Sequence, residues 1–443
     1  MNARELALHV VRDVFPVEAG NAERGAQEAL DYRLRRADLD PRDRSFATEL
    51  AYGSIKMRRT LDWYAAAFVG QRSKPLPPAI AEIVRLGLYE IVFTQADDHA
   101  TVFEYVNLAK KYGHKGVAGL VNAVLRSFLR DRPAPPAPQD FEDPDEYLGV
   151  ACSLPNWLVR QWRAAFPDAI EAICAAVNLP AQSAITVNRL RASVEDIENE
   201  LRAAGATPQR SIYVEETLVV GGGSPAARER ASQGAWFVQG ESPAMPVAVL
   251  NPQPGDSVLD VASGRGNKAL QIAARMQGEG SLTCVERDER RSAMLAERLT
   301  AGGAAAAIVV GDATTEVLPP ASRFDRVLID APCSGVGVVG RHPEARWRKR
   351  ADDGARLAPV QAAMLETMAA HVAPGGVVVY AVCSTDPRET TEVVDGFLRR
   401  REFTRGLIPE ALAPFQTAQG DVLVPPGLQG RDGFYIARLE RQL

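Results

Sequence analysis

The chain has 443 residues, enough for two or three domains, because a single hydrophobic core rarely grows beyond roughly 250–300 residues. Hydrophobic residues make up 46% and charged residues 24%, with a net charge of −5, which is an ordinary globular composition with no global signal for nucleic acid. No apolar run reaches the ~18 residues of a membrane span, and residues 1–6 carry charge where a signal peptide needs an apolar core. We therefore expect a cytoplasmic protein with no membrane partner.

The cysteine pattern argues against two further classes of protein. Five cysteines are an odd number, and no Cys-x-x-Cys pair occurs, so neither a disulfide framework nor a zinc site is indicated. We expect reduced thiols and no bound metal. Cys152, Cys174 and Cys284 are predicted to be packing residues.

Residues 1–132 are predicted to form an all-helical domain. Apolar residues recur at helical spacing, as in Ile80, Ile83, Val84 and Leu88, with charges between them. No cluster of acid, base and nucleophile occurs there, so we expect the domain to bind a partner or to act as a scaffold. Residues 133–150 are rich first in proline and then in acids, which is typical of a linker.

Residues 151–235 are predicted to form a small α+β module, with strands at 185–187 and 213–220 and helices at 157–166 and 194–204. From 236 to 443 strands and helices alternate, which predicts a doubly wound α/β sheet. The predicted strands of that sheet are 257–261, 282–286, 307–310, 326–329, 377–382 and 434–439.

Acids and glycines at the ends of the first three strands predict an adenosine pocket. A glycine turn after the first strand lets the backbone approach a ligand, and the helix that follows offers free N–H groups. Glu286 ends the second strand, where an acid can accept both ribose hydroxyls, and Asp312 follows the third, where it can accept from an adenine amino group. The Gly-x-Gly-x-x-Gly spacing of NAD sites and a P-loop are both absent, so we expect S-adenosylmethionine. The candidate cofactor residues are Ala262, Ser263, Gly264, Arg265, Gly266, Asn267, Lys268, Glu286, Asp312 and Asp330.

Two later strands each end in a thiol. Residues 326–329 lead into Asp330 and Cys333, and residues 377–382 lead into Cys383. A loop with a capping acid and an inert cysteine would explain the first segment alone. Ligands bind beyond the carboxyl ends of strands in an open parallel sheet, so the two segments together predict an active site with Cys333, Cys383 and Asp330 as catalytic residues.

A basic run with a central tryptophan follows the Cys333 loop. Such a run is usually a solvated face, but its position at the mouth of the predicted site favours contact with a phosphate-bearing substrate. The candidate RNA-binding residues are Arg341, His342, Arg346, Trp347, Arg348, Lys349 and Arg350.

Two thiols and an acid beside S-adenosylmethionine suit methylation of carbon 5 of cytosine. That carbon is a poor nucleophile, but a thiolate that adds to carbon 6 makes the ring an enamine, and carbon 5 can then accept a methyl group. A base must remove the carbon-5 proton before the thiolate leaves. Asp330 is placed to hold the ring and stabilise the charge that develops there. The spacing alone leaves open which thiol attacks and which assists release.

With these motifs the chain resembles the Sun-family (RsmB-type) RNA cytosine-5 methyltransferases over nearly its whole length. The matching motifs are residues 330–335, residues 341–344 with Trp347, residues 380–384 with Glu389, and residues 432–435. The resemblance implies that Cys383 is the nucleophile and Cys333 assists release. It also implies a NusB-type RNA-binding domain at the N-terminus, an RNA-recognition-like middle module and 16S rRNA of the small subunit as substrate. We expect a monomer.

The cofactor turn departs from the family pattern Ala-Pro-Gly-Gly-Lys, since Arg265 replaces the proline and Asn267 replaces a glycine. Asparagine tolerates left-handed backbone angles, which would preserve the turn. The departure leaves open an RNA-binding assembly or antitermination factor with an inactive methyltransferase half. A small-molecule or DNA methyltransferase would leave the helical domain and the Cys383 motif unexplained.

Overall fold

The computed structural model describes residues 1–16, 24–69, 75–221 and 233–443. The chain forms two compact units. The first comprises Met1–Asn178 with Arg341–Arg348, and the second comprises Leu179–Gly340 with Lys349–Leu443. Residues 151–178, expected at the start of the middle module, lie in the first unit.

The first unit is helical, as the sequence predicts. Its helices are α1 (Ala3–Val14), α2 (Ala26–Leu34), α3 (Pro41–Lys56), α4 (Arg58–Val69), α5 (Pro78–Phe93), α6 (Asp98–Tyr112), α7 (Lys115–Asp131), α8 (Pro144–Ala151), α9 (Asn156–Ala165) and α10 (Ile170–Ala176). A single helical turn, Ala345–Arg348, joins them. The core contains Leu6, Leu50, Ile83 and Leu125, all fully buried. No helix in the described ranges is long and apolar enough to cross a membrane.

The segment predicted as a linker, residues 133–150, is irregular only in part, because α8 begins at Pro144. The Asp143 carboxylate accepts a hydrogen bond from the Asp145 N–H at 2.9 Å and caps this helix. Proline at the first helical position costs little, since its missing N–H would have no helical partner there. The last part of the predicted linker is therefore helical.

The second unit begins with a small antiparallel sheet of β1 (Ala184–Val187), β2 (Thr207–Arg210), β3 (Thr217–Gly221) and β4 (Trp236–Val238), in the order β2-β3-β1-β4. Helix α11 (Val194–Ala203) contributes the buried side chains of Ile197 and Leu201 to its core. Strand β3 starts later than predicted, because the Ser211 hydroxyl accepts from the N–H groups of Tyr213 and Val214 and holds those residues in a turn.

The large sheet supplies the frame of the second unit. Its strands are β5 (Ser257–Val261), β6 (Ser281–Glu286), β7 (Ala307–Val310), β8 (Phe324–Asp330), β9 (Val372–Val382), β10 (Phe403–Arg405), β11 (Val422–Val424) and β12 (Phe434–Arg441). The order is β10-β12-β9-β8-β5-β6-β7, with β11 on β12. Strands β5 to β9 pair in parallel, whereas β12 is antiparallel to β9.

Helices cover both faces of this sheet, which confirms the predicted Rossmann-like α/β class. The helices are α12 (Glu241–Leu250), α13 (Asn267–Arg275), α14 (Glu289–Gly302), α15 (Asp353–Ala369) and α16 (Thr391–Leu398). Val247 and Leu270 pack in the core on one face, and Leu365 and Val394 pack in the core on the other. The chain runs outward from β5 to β7 and then returns to β8, so a topological switch point lies between β5 and β8.

Candidate active site

The carboxyl ends of β8 and β9 bring the two thiol loops side by side. Asp330, the last residue of β8, pairs in register with Ala381 of β9, and the Ala331 N–H donates to the Ala381 carbonyl at 2.9 Å. Cys333 and Cys383 follow directly, and their sulfur atoms lie 3.1 Å apart. The predicted approach of two strand-end thiols is therefore present.

The surroundings of Cys333 disfavour its thiolate form. Its hydrogen bond with Cys383 and its burial raise the pKa of Cys333 well above the ordinary value. Burial also raises the pKa of Cys152 to about 11 and that of Cys174 to about 12. Since thiolates are the reactive form, these last two are inert, in line with packing roles.

The Asp330 carboxylate carries a partner of its own. Lys268 Nζ lies 2.6 Å from Asp330 Oδ2. Burial opposes the charge on Lys268, but the carboxylate outweighs it and raises the pKa of the ammonium group. Both residues are candidates from the sequence, but their pairing was not predicted, because they are 62 positions apart.

The cofactor turn is built from left-handed residues. Ala262, Gly264 and Gly266 have φ angles of 57°, 58° and 83°. A Cβ on Gly266 would lie 2.6 Å from a methyl carbon of Leu295, so this position requires glycine for space as well as for conformation. The Gly264 N–H donates to Glu286 Oε2 at 2.8 Å, which fixes the turn against the end of β6.

The structure accommodates Arg265 and Asn267, the two departures from the family's cofactor turn, without the left-handed asparagine that we expected. Asn267 is the first residue of α13 rather than a left-handed residue, and its side chain donates to the Val238 carbonyl at 3.1 Å. The left-handed conformation lies one residue earlier, at Gly266. Arg265 is exposed, so its long side chain meets no steric obstacle.

One cavity of about 360 Å³ joins the predicted cofactor and catalytic residues. Its lining includes Ala262, Gly264, Glu286, Asp312, Asp330, Cys333 and Cys383, together with Arg287, Arg291, Val360 and Met364, which sequence reasoning missed. Ser263, Arg265, Gly266, Asn267 and Lys268 are not part of this lining. Among the described residues no group of three or more His, Cys, Asp or Glu is placed to hold a metal ion.

The acids of the cavity fit an adenosine group. Both Glu286 oxygens accept backbone N–H groups, from Gly264 and from Asp288, which fixes the carboxylate at the wall. The backbone and hydroxyl of Thr314 donate to one oxygen of Asp312 and hold the pKa of its carboxyl below the ordinary value. Two charged acceptors at successive strand ends suit the ribose hydroxyls and the amino group of adenine.

Two buried carboxylates near the site were missed from the sequence. Asp260 is fully buried in β5, and burial raises its pKa to about 7. Glu389 is fully buried and accepts hydrogen bonds from Ser334 and Ser384, the residues that follow the two cysteines. The signal for Asp260 was an acid within an apolar strand, and Glu389 was noted as part of a motif without a role.

The basic segment differs from the predicted RNA-binding surface. The Arg346 side chain is fully buried in the first unit, where it donates to the Ser153 carbonyl at 3.1 Å and to Asn178 Oδ1 at 2.8 Å. The Trp347 indole donates to the Ile55 carbonyl at 2.7 Å, and Arg348 donates to the carbonyls of residues 14 and 24. The prediction that Arg346 contacts RNA is therefore wrong, because its guanidinium is enclosed by protein. His342 and Arg350 are exposed.

Comparison with known proteins places this geometry in a family. The family profile of 16S rRNA methyltransferase RsmB/F matches residues 247–440, that of the NusB family matches residues 1–130, and that of an RsmF/B-like ferredoxin-like domain matches residues 154–226. The ribosomal RNA small subunit methyltransferase B of Thermus thermophilus is 35% identical over 423 residues, which cover 94% of this chain and 93% of that protein. The chain belongs to the RsmB/F methyltransferase family.

Further relatives agree with this assignment, and the predicted resemblance is confirmed. The protein of the same name from Vibrio cholerae is 30% identical and covers 100% of this chain, which spans 98% of that relative. The crystal structure of PH0851 shares the fold, with a TM-score of 0.81, 24% identity and coverage of 100% and 99% of the two chains. The predictions of an S-adenosylmethionine-dependent methyltransferase and of a NusB-like helical domain are confirmed.

Proposed function

We propose that this methyltransferase modifies carbon 5 of a cytosine in 16S rRNA, with Cys383 as the nucleophile and Cys333 as the group that assists release. The observation that carries the proposal is the 3.1 Å contact between the two sulfur atoms in the cavity that Asp330 also lines. Methylation of a base nitrogen or a ribose hydroxyl would give no role to a second thiol.

The reaction needs a nucleophile, a methyl donor and a base. The Cys383 thiolate forms a bond to carbon 6, and the electron pair of the ring double bond makes carbon 5 nucleophilic. Bound S-adenosylmethionine would supply an electrophilic methyl group, and S-adenosylhomocysteine would leave with the electron pair of the broken sulfur–methyl bond. A base removes the carbon-5 proton, the electron pair of the broken carbon–hydrogen bond restores the ring double bond, and the sulfur–carbon bond breaks to return the Cys383 thiolate.

The contact between the two sulfurs is compatible with the division of roles. The Cys333 S–H can donate to Cys383, because the hydrogen bond between the sulfurs and burial hold the pKa of Cys333 high. A donor beside the leaving sulfur favours departure of the thiolate from carbon 6. Asp330, held by Lys268, is placed to accept from the cytosine amino group and to stabilise charge on the ring.

The ribosomal substrate is supported by the relatives named small subunit rRNA methyltransferases and by the match of residues 1–130 to the NusB family. A base must leave its stack, or come from a single-stranded loop, to enter a cavity of this size. We further propose that the protein acts as a monomer in the cytoplasm.

Mass mapping of methylated cytosines in 16S rRNA tests the proposal. Purified protein, S-adenosylmethionine and unmodified 16S rRNA should yield 5-methylcytosine at a defined position, and the Cys383→Ala variant should yield none. A methyl group found on a base nitrogen, on ribose or only on other RNAs would contradict the proposed reaction.

A further inference from the structure

A single buried carboxylate ties the two thiol loops together. Glu389 Oε1 accepts the Ser334 N–H at 2.8 Å and the Gln361 side-chain amide at 3.0 Å. Glu389 Oε2 accepts the Ser384 hydroxyl at 2.5 Å and also the Ser334 hydroxyl. The side chain is 0% exposed. Charge-assisted hydrogen bonds in such a water-excluded place are stronger than neutral ones.

The donors to this carboxylate come from the residues next to the catalytic thiols. Ser334 follows Cys333 and Ser384 follows Cys383, and the two hydroxyl oxygens lie 3.2 Å apart. The sulfurs of the preceding residues lie 3.1 Å apart. The carboxylate therefore anchors each loop one residue beyond its sulfur.

Glu389 has no place in the chemistry itself, because it does not line the cavity. Its backbone carbonyl accepts the Tyr380 hydroxyl at 2.7 Å, a contact that a side-chain substitution would leave in place. Gln361 donates to the Pro332 carbonyl at 2.9 Å as well as to Glu389, which links the carboxylate to the residue before Cys333. The contacts of this side chain thus converge on the two cysteine loops.

We propose that Glu389 is a positioning residue that holds the Cys333 and Cys383 thiols within hydrogen-bonding contact for the release step. The inference rests on the proposed function, since it assigns the thiols to one reaction. Positioning matters there because a displacement of about 1 Å can cost on the order of a hundredfold in rate. Without the carboxylate, each loop would lose its shared anchor.

Two substitutions and one control test the proposal in the full-length protein. Glu389→Ala removes all four hydrogen bonds. Glu389→Gln retains the network, because its oxygen accepts the two N–H donors and its amide group donates to serine hydroxyls, which can accept. Glu392→Ala is the control, an exposed acid in the first turn of the neighbouring helix α16.

The first readout needs no RNA. Diamide oxidises two thiols to a disulfide, taking their two protons and two electrons into its own nitrogen–nitrogen double bond. The rate of the Cys333–Cys383 disulfide, followed by peptide mass, reports how well the sulfurs are held together. We expect Glu389→Ala to slow it by about tenfold or more, as effective concentration falls, with Glu389→Gln and Glu392→Ala near the unmodified protein.

The second readout is methylation. Glu389→Ala should lower kcat by about a hundredfold while S-adenosylmethionine affinity is unchanged, and Glu389→Gln should recover most of kcat. Unchanged disulfide formation and unchanged kcat in Glu389→Ala would overturn the proposal. If Glu389→Ala slows disulfide formation but the unmodified protein does not methylate cytosine, the positioning role of Glu389 is supported and the proposed function is contradicted. If Glu389→Ala does not fold, Ser384→Ala gives the same comparison, and equal rates there overturn the proposal.

Discussion

Lys268 and Asp330 form an ion pair in which Nζ lies 2.6 Å from Oδ2. Lys268 belongs to the first turn of α13, after the cofactor turn, and Asp330 ends β8 beside the thiols. The pair therefore links the start of α13, next to the cofactor turn, to the end of β8 beside the two thiols. A buried or partly buried pair of this kind acts as a unit, because removal of one partner leaves the other uncompensated.

The kinetic effects of substituting Lys268 and Asp330 should be non-additive, because the two residues act as a pair. We expect Lys268→Met and Asp330→Asn each to lower kcat/KM for RNA methylation, and the double variant to lose less than the sum. The coupling should be about 1–3 kcal/mol, as for residues in direct contact. Steady-state kinetics of the four proteins gives the value. Additive losses would show that the two residues act independently.

Glu286 should determine cofactor affinity. Its carboxylate ends β6, lines the cavity and also accepts the Gly264 N–H of the cofactor turn. Loss of a charge-assisted hydrogen bond costs about 1.5–3 kcal/mol, so Glu286→Ala should weaken S-adenosylmethionine binding roughly ten- to a hundredfold in calorimetry. Glu289→Ala, in the exposed first turn of α14, is the matched control. Equal affinity of both variants for S-adenosylmethionine would show that Glu286 does not bind the cofactor.

Asp260 should make stability depend on pH. Burial raises its folded pKa to about 7, whereas an unfolded aspartate has a pKa near 3.9. The folded state holds this proton more tightly, so its contribution to stability is complete below about pH 4 and is lost as pH rises through about 7. The charged groups that act on it are Lys268, Asp330 and Glu286.

Asp260→Asn removes that titration. We expect the free energy of unfolding of the unmodified protein to fall between pH 5 and pH 8 by more than that of the variant, with a difference on the order of a few kcal/mol. Urea unfolding at the two pH values, followed at the second unit, gives both numbers. Parallel pH profiles for the two proteins would show that Asp260 does not control this loss.

The sequence predicts the parallel strands of the large sheet well, because each is a short apolar run bounded by turn residues. Strands β5 and β7 have the predicted bounds. Strands β10 and β11 have three residues each and depend on pairing with β12, so no local sequence pattern predicts them. The candidate site was predictable where chemistry follows a strand end, as at Asp312 and Cys333.

The placement of the basic segment could not be predicted, because its partners are distant in sequence. The local sequence of the basic segment is typical of a charged amphipathic stretch. Its acceptors are carbonyls near residues 14, 55 and 153, and only the fold brings those together. The Lys268–Asp330 pair and the contacts between Ser334 and Glu389 were missed for the same reason.

RNA contacts should therefore be confined to the part of that segment that solvent reaches, which includes exposed His342 and Arg350 and partly exposed Lys349. If Lys349 and Arg350 meet phosphates, Lys349→Ala and Arg350→Ala should each flatten the salt dependence of RNA affinity by about one unit of slope. Arg346→Met should leave the slope unchanged, since that side chain is buried. Filter binding across a salt series measures the slopes, with exposed Arg356→Ala as control. A smaller salt dependence of RNA affinity in Arg346→Met would show that Arg346 contacts RNA.

The roles of the two thiols have an asymmetric consequence. If Cys383 attacks carbon 6, nothing can add to the base in Cys383→Ala, so that variant should neither methylate RNA nor form an adduct. If Cys333 assists release, Cys333→Ala should still attack and transfer the methyl group but should remain bound to the product. The double variant is the control, because trapping requires Cys383.

Denaturing gel electrophoresis of each variant after incubation with 16S rRNA and S-adenosylmethionine makes the distinction directly. We expect a covalent protein–RNA band in Cys333→Ala that is absent from Cys383→Ala and from the double variant. A band in Cys383→Ala that disappears in Cys333→Ala would reverse the two roles and contradict the account.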